Sequence, residues 1–558
     1  MNNSQIADCF SLLAKLMDIH NENSFKSKSY ASAAFAIDKL SIPLNETPRE
    51  KIVEIKGIGE STGKKIIELL ESGELQALTE IIQKTPEGIL EMLNIKGIGP
   101  KKIATIWKEM GIETVGELLY ACKENRLKLY KGFGEKTQQN VIETIEYYLN
   151  NKGSFLYRQV ETIEKQITAY LEKLFTAGNV FITGAFKRQL EVIDELEYAV
   201  NSNNDEIKLK FITANPPELL EEKSNTLLYK LTNGLRLRLY TGKSAFKNHL
   251  FQYSGSDEFI NTFFKEFPEP DLDKINGNDD KPLFESIGLN FIPSFLRESP
   301  LIIYKAKQQH LGSFIQPRDI KSIIHCHSNW SDGNDTIEAM AKAAINKGLE
   351  YLAISDHSKT AFYANGLSEE RIKEQHAYID ELNRQLAPFK IFKSIESDIL
   401  NDGSLDYSNE VLSTFDLVIA SVHSNLKMPE DKAMMRLIKA IENPYTTILG
   451  HMTGRLLLSR KGYPVDHKKI IDACAANNVV IELNAHPNRL DIDWRHIAYA
   501  LEKNVLISID PDAHSIEGFD DIHYGVLVAQ KAMVTKEQNL SSFSLKEFEA
   551  FLRRKKTP

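Results

Sequence analysis

The chain has 558 residues, 42% hydrophobic and 26% charged, with a net charge of −9. That length exceeds one hydrophobic core and predicts two to four domains, while the acidic balance excludes broad adhesion to nucleic acid and leaves only local grips. No apolar run approaches the ~20 residues that span a bilayer, MNNSQIADCF lacks a leader pattern, and the four cysteines include no CxxC pair, so a cytoplasmic protein without disulfides or zinc knuckles is expected.

In chain order, the first feature is a repeat. IKGIG at 55–59, IKGIG at 95–99 and YKGFG at 130–134 each set a base and Gly-apolar-Gly before an amphipathic helix. In a helix-hairpin-helix, the paired glycines (Gly57 and Gly59, Gly97 and Gly99, Gly132 and Gly134) permit a tight turn. The N–H groups that open the second helix then face a phosphate oxygen, with Lys56, Lys96 and Lys131 alongside. Such a motif grips DNA backbone without reading sequence. Ordinary helix–helix turns also carry glycine, but three copies with flanking lysines favour the DNA reading.

Ahead of the first hairpin, SFKSKSYASAAFAI (24–37) resembles the start of the small N-terminal domain of family X DNA polymerases. Some members of that family carry a Schiff-base lysine on the following helix, and the resemblance places it on Lys65 of GKKIIELL. A solvated helix lysine is the other reading, because Schiff-base chemistry needs a depressed pKa.

The resemblance continues through VFITGAFKR (180–188) to IGLNFIPSFLRE (287–298), which is similar to the end of the polymerase thumb. In the family, a Gly-Ser-aromatic-Arg-Arg-Gly turn holds the nucleotide's phosphates. An Asp-x-Asp on the next strand and a third Asp on a neighbouring strand hold two magnesium ions. Alternate strand positions share a face, short carboxylates suit an octahedral ion, and two ions clamp the attacking and leaving oxygens. Here Ala185 replaces the serine, Lys187 the first arginine and Gln189 the closing glycine, while Arg188 remains. Glu195 and Glu197 replace the Asp pair, and Arg238 on NGLRLRLY (233–240) takes the place of the third acid. Each extra methylene displaces ligand oxygens by more than the ~0.5 Å a preorganised site tolerates, and a guanidinium repels metal ions. The expectation is a polymerase fold whose nucleotidyl-transfer site has decayed, which leaves magnesium or manganese in the palm in doubt. Asp194 does not restore a pair, since it is adjacent to Glu195 and faces the other way; nor is YTGKS (240–244) a P-loop, because the required glycine is Leu237.

After GSFIQPRDIKS (312–322), read as a linker, apolar strands alternate with helical segments as in an α/β barrel. Seven strand-like runs follow: SIIHCH (322–327), YLAISDH (351–357), FKSIE (392–396), LVIASVH (417–423), TTILGH (446–451), VVIELNAH (479–486) and VLISIDPDAH (505–514). Most end in metal-binding residues, at the strand ends where barrel enzymes place their chemistry. Of 14 histidines, only His20 and His249 precede residue 310. His325 and His327 share a strand face, Asp332 sits in the turn WSDG, and Glu396 is placed to bridge two ions. His357, His423, His451, Asp512 and His514 extend the set, whose mixture of imidazole and carboxylate suits zinc, manganese or iron.

HCHSNWSDG, SDHSKT, GHMTGRLL and DPDAHS resemble the PHP (polymerase and histidinol phosphatase) domain, a distorted seven-stranded barrel, over 319–558. The resemblance implies two or three divalent metals held by nine residues, all matched here: His325, His327, Asp332, His357, Glu396, His423, His451, Asp512 and His514. It assigns catalysis to His325, His327, Asp332, Glu396, Asp512 and His514. His486, in ELNAHPNRLD, is expected to support the ligands or the fold. Arg455 and Lys359 are candidate phosphate contacts, with a surface ion pair as the other reading for each.

The whole order resembles the bacterial family X DNA polymerase with a C-terminal PHP domain. It implies a multidomain fold: a small helical, lyase-like domain with the first hairpin (1–85), a fingers-like domain with two more (86–150), an α+β palm (151–245), a thumb (246–312) and a distorted (βα)7 PHP barrel (319–558). The function expected from it is a DNA-binding metal-dependent phosphoesterase, a 3′-to-5′ exonuclease or 3′-end processor in base-excision-type repair. Gapped, nicked or 3′-ended duplex is the expected partner, with the protein a nucleoid-associated monomer. The alternatives are an active polymerase coupled to the exonuclease, which needs an acid near Arg238, and a small-molecule phosphatase of the histidinol-phosphatase type. A non-catalytic DNA scaffold is opposed by the complete ligand set.

Overall fold

The second and third glycine hairpins close for a reason their backbone shows. The computed structural model describes residues 1, 3–38, 40, 42–55, 58–95, 97–150, 153–211, 216–308 and 311–555, and the chain divides into two units, Met1–Tyr148 and Leu149–Pro558. In the first, Gly97 and Gly132 take φ of +94° and +93°, a left-handed conformation that glycine reaches without a Cβ penalty. Two residues on, Gly59 and Gly99 immediately precede the helices Glu60–Ser72 and Pro100–Lys108, and Gly134 precedes Glu135–Asn150. The apolar residue between the glycines (Ile58, Ile98, Phe133) is buried and anchors each turn. Helices Asn3–Ile19 and Ser24–Asp38 pack against each other ahead of the first hairpin.

The second unit opens with β1 (Phe155–Leu156) and the long helix Tyr157–Phe175. Then come β2 (Val180–Thr183), β3 (Val192–Ile193), β4 (Glu195–Val200), β5 (Glu218–Lys223), β6 (Thr226–Lys230) and β7 (Arg236–Thr241). β1 pairs with β3, and the remaining five form a sheet in the order β2-β4-β7-β6-β5. In it β4 and β7 run parallel, with Glu195 opposite Arg236 and Glu197 opposite Arg238. Strand alternation sends Leu196, Tyr198, Leu237 and Leu239 into the core and leaves Glu195, Glu197, Arg236 and Arg238 on the other face.

Helices Phe246–Gln252, Asp257–Glu266, Lys281–Ser286 and Leu301–Gln308 follow. Their aromatic core, including Phe251, Phe259 and Phe284, surrounds a fully buried Arg297. That guanidinium is satisfied by the Ile292 carbonyl at 2.8 Å and Asp280 at 2.6 Å, as a buried charge requires.

The last part is a parallel barrel of β8 (Ser322–Ile323), β9 (Tyr351–Ile354), β10 (Lys390–Asp398), β11 (Leu417–Ser421), β12 (Ile448–Leu449), β13 (Val480–Asn484) and β14 (Ile507–Asp510). The strands pair in sequence order, and a parallel bridge between Cys326 and Ala513 joins the two ends. Helices cover the outside, and the C-terminal helix Leu545–Lys555 plugs the floor with Phe548 and Leu552. Several strands are shorter than their apolar runs, because the chain leaves the ladder at the carboxyl ends to carry the ligand loops. The expected linker is a packed segment: Ile315 and Ile320 are buried in the barrel's outer core, and Ile315 N donates to Val534 O at 3.0 Å. Among the described residues, no helix is long and apolar enough to cross a membrane.

The barrel also holds the palm. Lys531, at the end of helix Ile522–Lys531, has a fully buried side chain whose amine donates to Arg188 O (2.8 Å) and Phe295 O (3.1 Å) and pairs with Glu298 (3.4 Å).

Candidate metal centre

The inward column of each barrel strand changes character from floor to mouth. On β10 it reads Phe392, Ser394, Glu396, and on β11 Leu417, Ile419, Ser421, followed by His423 just past the strand. Alternation thus carries apolar floor residues and polar mouth residues on one face. His325 and His327 follow β8, His357 follows β9, His451 follows β12, and Asp512 and His514 follow β14. The WSDG turn folds back tightly: a Cβ on Gly333 would lie 2.2 Å from the His327 carbonyl, so glycine there lets Asp332 reach the cluster.

All nine predicted ligands converge. Glu396 is central, with one oxygen 3.5 Å from His325, 3.2 Å from His423 and 2.9 Å from His451. Its other oxygen is 3.6 Å from His327 and 3.0 Å from His357. Asp512 lies 3.1 Å from His327 and 3.5 Å from His325, and Asp332 lies 3.5 Å from both His357 and His514. Donor atoms gather within 4.8 Å in three overlapping groups: His327, Asp332, His357 and His514; His325, His327 and Asp512; His357, Glu396 and His423.

The donor set fits divalent metal. Ligands at ~2.1 Å from one ion stand about 3.0–3.4 Å apart, and the spacings above, from 2.9 to 3.6 Å, bracket that range. His327 Nδ1, Asp332 Oδ2, His357 Nδ1 and Glu396 Oε2 are buried and lack a well-aligned hydrogen bond, although His357 Nδ1 and Glu396 Oε2 stand 3.0 Å apart. Buried polar atoms left so are costly, and a shared cation removes the cost. The charges are strongly coupled. Burial opposes ionisation of Asp332, Glu396 and Asp512, yet neighbouring histidines hold all three well below the usual carboxylate range. Burial also opposes protonation of His325 and His423, but nearby carboxylates hold His325 well above its ordinary value and raise His423 to about 9. His327, beside His514 and His357, is pushed down by burial to about 3, and is therefore neutral as a ligand must be.

Three residues that sequence reasoning missed support the ligands. Glu482 on β13 accepts from His325 Nδ1 (2.5 Å) and from the His451 backbone N–H (2.5 Å). Asp398 accepts from His423 Nδ1 at 2.6 Å and from Thr360 at 2.8 Å. Such carboxylates fix the ring orientation and tautomer of a ligating histidine. Asp356, beside His357, accepts from Ser328, Ser331 and Gln375, and so ties the Asp332 turn to β9. Its place in SDHSKT was the available signal.

The remaining candidates divide. Arg455 donates to Arg489 O (2.9 Å), Leu490 O and Asp493 (2.6 Å), so it clamps the 489–493 loop; the ion-pair reading describes it, in place of the expected phosphate contact. The loop it holds carries Arg489, which lies 3.7 Å from Asp512. His486 accepts from Asn488 N at 3.2 Å, outside the ligand groups. Lys359 pairs with Glu369 at 3.4 Å and remains 44% exposed.

In the palm, the expected acids meet protein instead of one another. Arg238 makes a two-pronged pair with Glu195, one contact at 3.0 Å, and Arg236 adds a third at 3.6 Å. A register shift of two along β7 therefore still puts an arginine beside Glu195. Glu197 accepts from Tyr240 OH (2.7 Å) and from Ala185 N (3.1 Å), so its carboxylate covers the start of the 184–188 turn. A Cβ on Gly184 would lie 1.9 Å from it. Arg188 pairs with Glu298 at 3.0 Å, and burial lowers Lys187 to about 8.

In the first unit, a Cβ on Gly59, Gly97, Gly99, Gly132 or Gly134 would meet nothing within 4 Å. At Gly59 and Gly99 the backbone is extended and does not require glycine; the missing side chain keeps clear the approach to the helix N-terminus. Lys56, Gly57 and Lys96 lie outside the described residues. Lys65 lines a cavity of about 310 Å³ with Lys26, Tyr30 and Lys84.

A helix-hairpin-helix domain family matches residues 1–75, a SAM-like helix-hairpin-helix tandem matches 89–146, and the PHP domain matches 324–486. Asp512 and His514 lie past that last span, and join the centre by geometry. The chain is 31% identical to the DNA polymerase/3′-5′ exonuclease PolX of Bacillus subtilis (strain 168) over 573 residues, 99% of this chain and 100% of that one. A probable phosphatase of Thermoanaerobacter sp. (strain X514) is 25% identical over 250 residues, 42% of this chain and 97% of its own. A solved histidinol phosphate phosphatase from Lactococcus lactis is similar at 17% identity and a TM-score of 0.30, covering 38% of this chain and 93% of that one. Because the 31% match spans nearly all of both chains and the hairpin and PHP families fall on the two ends, the chain belongs to the bacterial family X DNA polymerases that carry a C-terminal PHP domain.

Proposed function

We propose that this chain is a DNA-binding, metal-dependent phosphoesterase that shortens or cleans DNA 3′ ends in base-excision-type repair, and that its palm serves as a scaffold without polymerising. The convergence of nine imidazole and carboxylate side chains at the barrel mouth, eight buried and His423 nearly so, carries the first part. The whole-length relative is named a polymerase and 3′-5′ exonuclease, and the open glycine edges of the first unit supply a grip on DNA backbone.

His327, Asp332, His357 and His514 would hold one ion, or His327 would join His325 and Asp512 and His357 would join Glu396 and His423 around others, since a neutral ring serves one ion at a time, with His451 beside Glu396. Zinc, manganese or iron suits these donors; when bound, such ions neutralise phosphate oxygens and make water a better nucleophile at neutral pH. The protein's own part is to orient the donors. Glu482 and Asp398 hold two imidazoles by their outer nitrogens, and Asp356 sets the Asp332 turn.

Scaffolding by the palm is supported by the partners of its acids. Glu195 is neutralised by arginines, and Glu197 is bonded to Tyr240 and to the turn that would receive phosphate. A second reading, a small-molecule phosphatase, is favoured by the probable phosphatase that matches 42% of this chain over 97% of its own length. One gel separates these readings: protein with manganese and a 5′-labelled primer on a longer template, with and without dNTPs, beside an Asp512→Ala control. Primer shortening that the control lacks, with no longer products, is expected. Extension would overturn the scaffold reading, and an untouched primer beside hydrolysed p-nitrophenyl phosphate would favour the phosphatase.

A further inference from the structure

The loop between His357 and Leu367 is built to hold one aromatic ring out into solvent. It begins at a residue of the metal centre and returns to it: Leu367 N donates to His357 O at 2.9 Å. Inside it, Ala361 N bonds Ser358 O at 3.0 Å and Gly366 N bonds Ala361 O at 3.1 Å. A Cβ on Gly366 would sit 1.9 Å from the Ser358 carbonyl, so the loop closes tightly on itself. Its sides are fastened as well. Thr360 N donates to Asp406 at 2.7 Å, and Lys359 N donates to Tyr407 OH at 3.0 Å. On the other flank, Asn365 Nδ2 reaches Trp330 O at 3.2 Å, two residues before Asp332. Ala361 and Ala364 are fully buried, whereas Phe362 between them is 81% exposed.

A lone exposed apolar residue on a mobile surface needs no explanation. Here the ring stands on a short helical turn, Phe362–Ala364, whose neighbours are pinned, and it is at most roughly 17 Å of extended chain from His357. The same loop presents Lys359, 44% exposed. A cation and a flat ring on one rigid loop beside a phosphoester-cleaving centre form the combination by which proteins hold single-stranded nucleic acid: charge for the backbone, a π-face for the base. A small phosphomonoester has no base to stack there.

We propose that Phe362 is a base-stacking platform that positions a nucleotide near the scissile phosphate, with Lys359 beside it for the backbone. The inference rests on the DNA 3′-end reading above. It makes the loop the element that favours a polynucleotide over a small phosphoester, and the residue a positioning residue with no part in the chemistry.

The test uses the full-length protein with manganese and two substrates, a 5′-labelled single-stranded oligonucleotide and bis-p-nitrophenyl phosphate. Loss of one base–aromatic stack corresponds to about 5- to 150-fold. Phe362→Ala is expected to lower the ratio of oligonucleotide to bis-p-nitrophenyl phosphate efficiency by that factor, chiefly through KM, and Phe362→Trp to restore it. A second readout is fluorescence of 2-aminopurine placed in turn at the last four positions of a phosphorothioate-linked oligonucleotide. Wild type and Phe362→Trp quench one position, and Phe362→Ala does not. An unchanged ratio and quench in Phe362→Ala overturns the proposal, as does an equal loss on both substrates, which marks a structural role. If wild type hydrolyses bis-p-nitrophenyl phosphate but leaves the oligonucleotide intact, the DNA reading itself fails, and this inference falls with it.

Discussion

The palm sets its acids at the start of β4 and the barrel sets its own toward or past the carboxyl ends of its strands, and the two treat them in opposite ways. In the palm, Glu195 is matched by Arg238 and Arg236, and Glu197 by a hydroxyl and a backbone N–H. In the barrel, Glu396 has five imidazoles around it, and its Oε2 is buried without a well-aligned hydrogen bond. A carboxylate already neutralised by protein has little to gain from a cation; one left facing other donors in a buried site gains a great deal. Partner inventory, more than the count of acids, is what distinguishes the two clusters.

The sharpest way to break that contrast is at Glu396. Glu396→Gln removes the charge that five of the histidines surround and should lower nuclease activity by about 1,000-fold or more. Bound metal measured on the purified protein should fall with it, while gel-shift affinity for DNA, assigned to the first unit, stays within a few-fold. Full metal content in this variant would show that Glu396 is not the hub.

Next in size are the orienting carboxylates. Glu482→Gln and Asp398→Asn keep the shape of each side chain but weaken its hold on His325 or His423. Each is expected to cost 10- to 100-fold in manganese affinity, measured by titration of metal-stripped protein. Wild-type affinity in both would leave only a packing role for these residues.

The cluster at the barrel mouth was legible in the sequence partly through strand arithmetic, His325 and His327 being two apart and Glu396 following an apolar run, and otherwise through the resemblance to the PHP domain. Its supports were not readable in the same way. Glu482 stands 157 residues from the His325 it orients, and only closure of the barrel makes them neighbours. Arg455 was a plausible phosphate ligand by charge and position, yet its donors are taken by the carbonyls and carboxylate of the 489–493 loop, which no spacing rule reveals. GSFIQPRDIKS reads as a linker from its Gly, Pro and charged residues, but Ile315 and Ile320 carry enough apolar surface to dock on the barrel. In the palm, the sequence showed the wrong residue types; the structure adds what they do with one another.

A smaller effect follows from the coupled charges. Burial opposes protonation of His423, but Glu396 and Asp398 raise its pKa to about 9 from an ordinary 6.5. In metal-free protein, this raised value contributes stability that is complete below about pH 6.5 and is lost as pH climbs through about 9. Metal requires the neutral ring. The difference in Tm between manganese-loaded and chelator-treated protein should therefore widen from pH 6.5 to 9, and a constant gap would mean that His423 does not compete with the ion.

The smallest expected effect would convert one region toward the other. Arg238→Ala leaves Glu195, whose side chain is 18% exposed, with only the longer Arg236 contact. The pair is partly buried, so its loss costs about 1–2 kcal/mol and should lower the palm's Tm by roughly 2–6 °C. If the partner inventory is what excludes metal, then exposing Glu195 makes the palm respond to metal. In a Glu396→Gln background, which silences the barrel, millimolar manganese should recover part of the lost Tm in Arg238→Ala and none where Arg238 is intact. Equal responses in the two proteins would mean that Arg238 is not what closes the palm to metal, and that the cause lies in the Glu197 contact with the 184–188 turn.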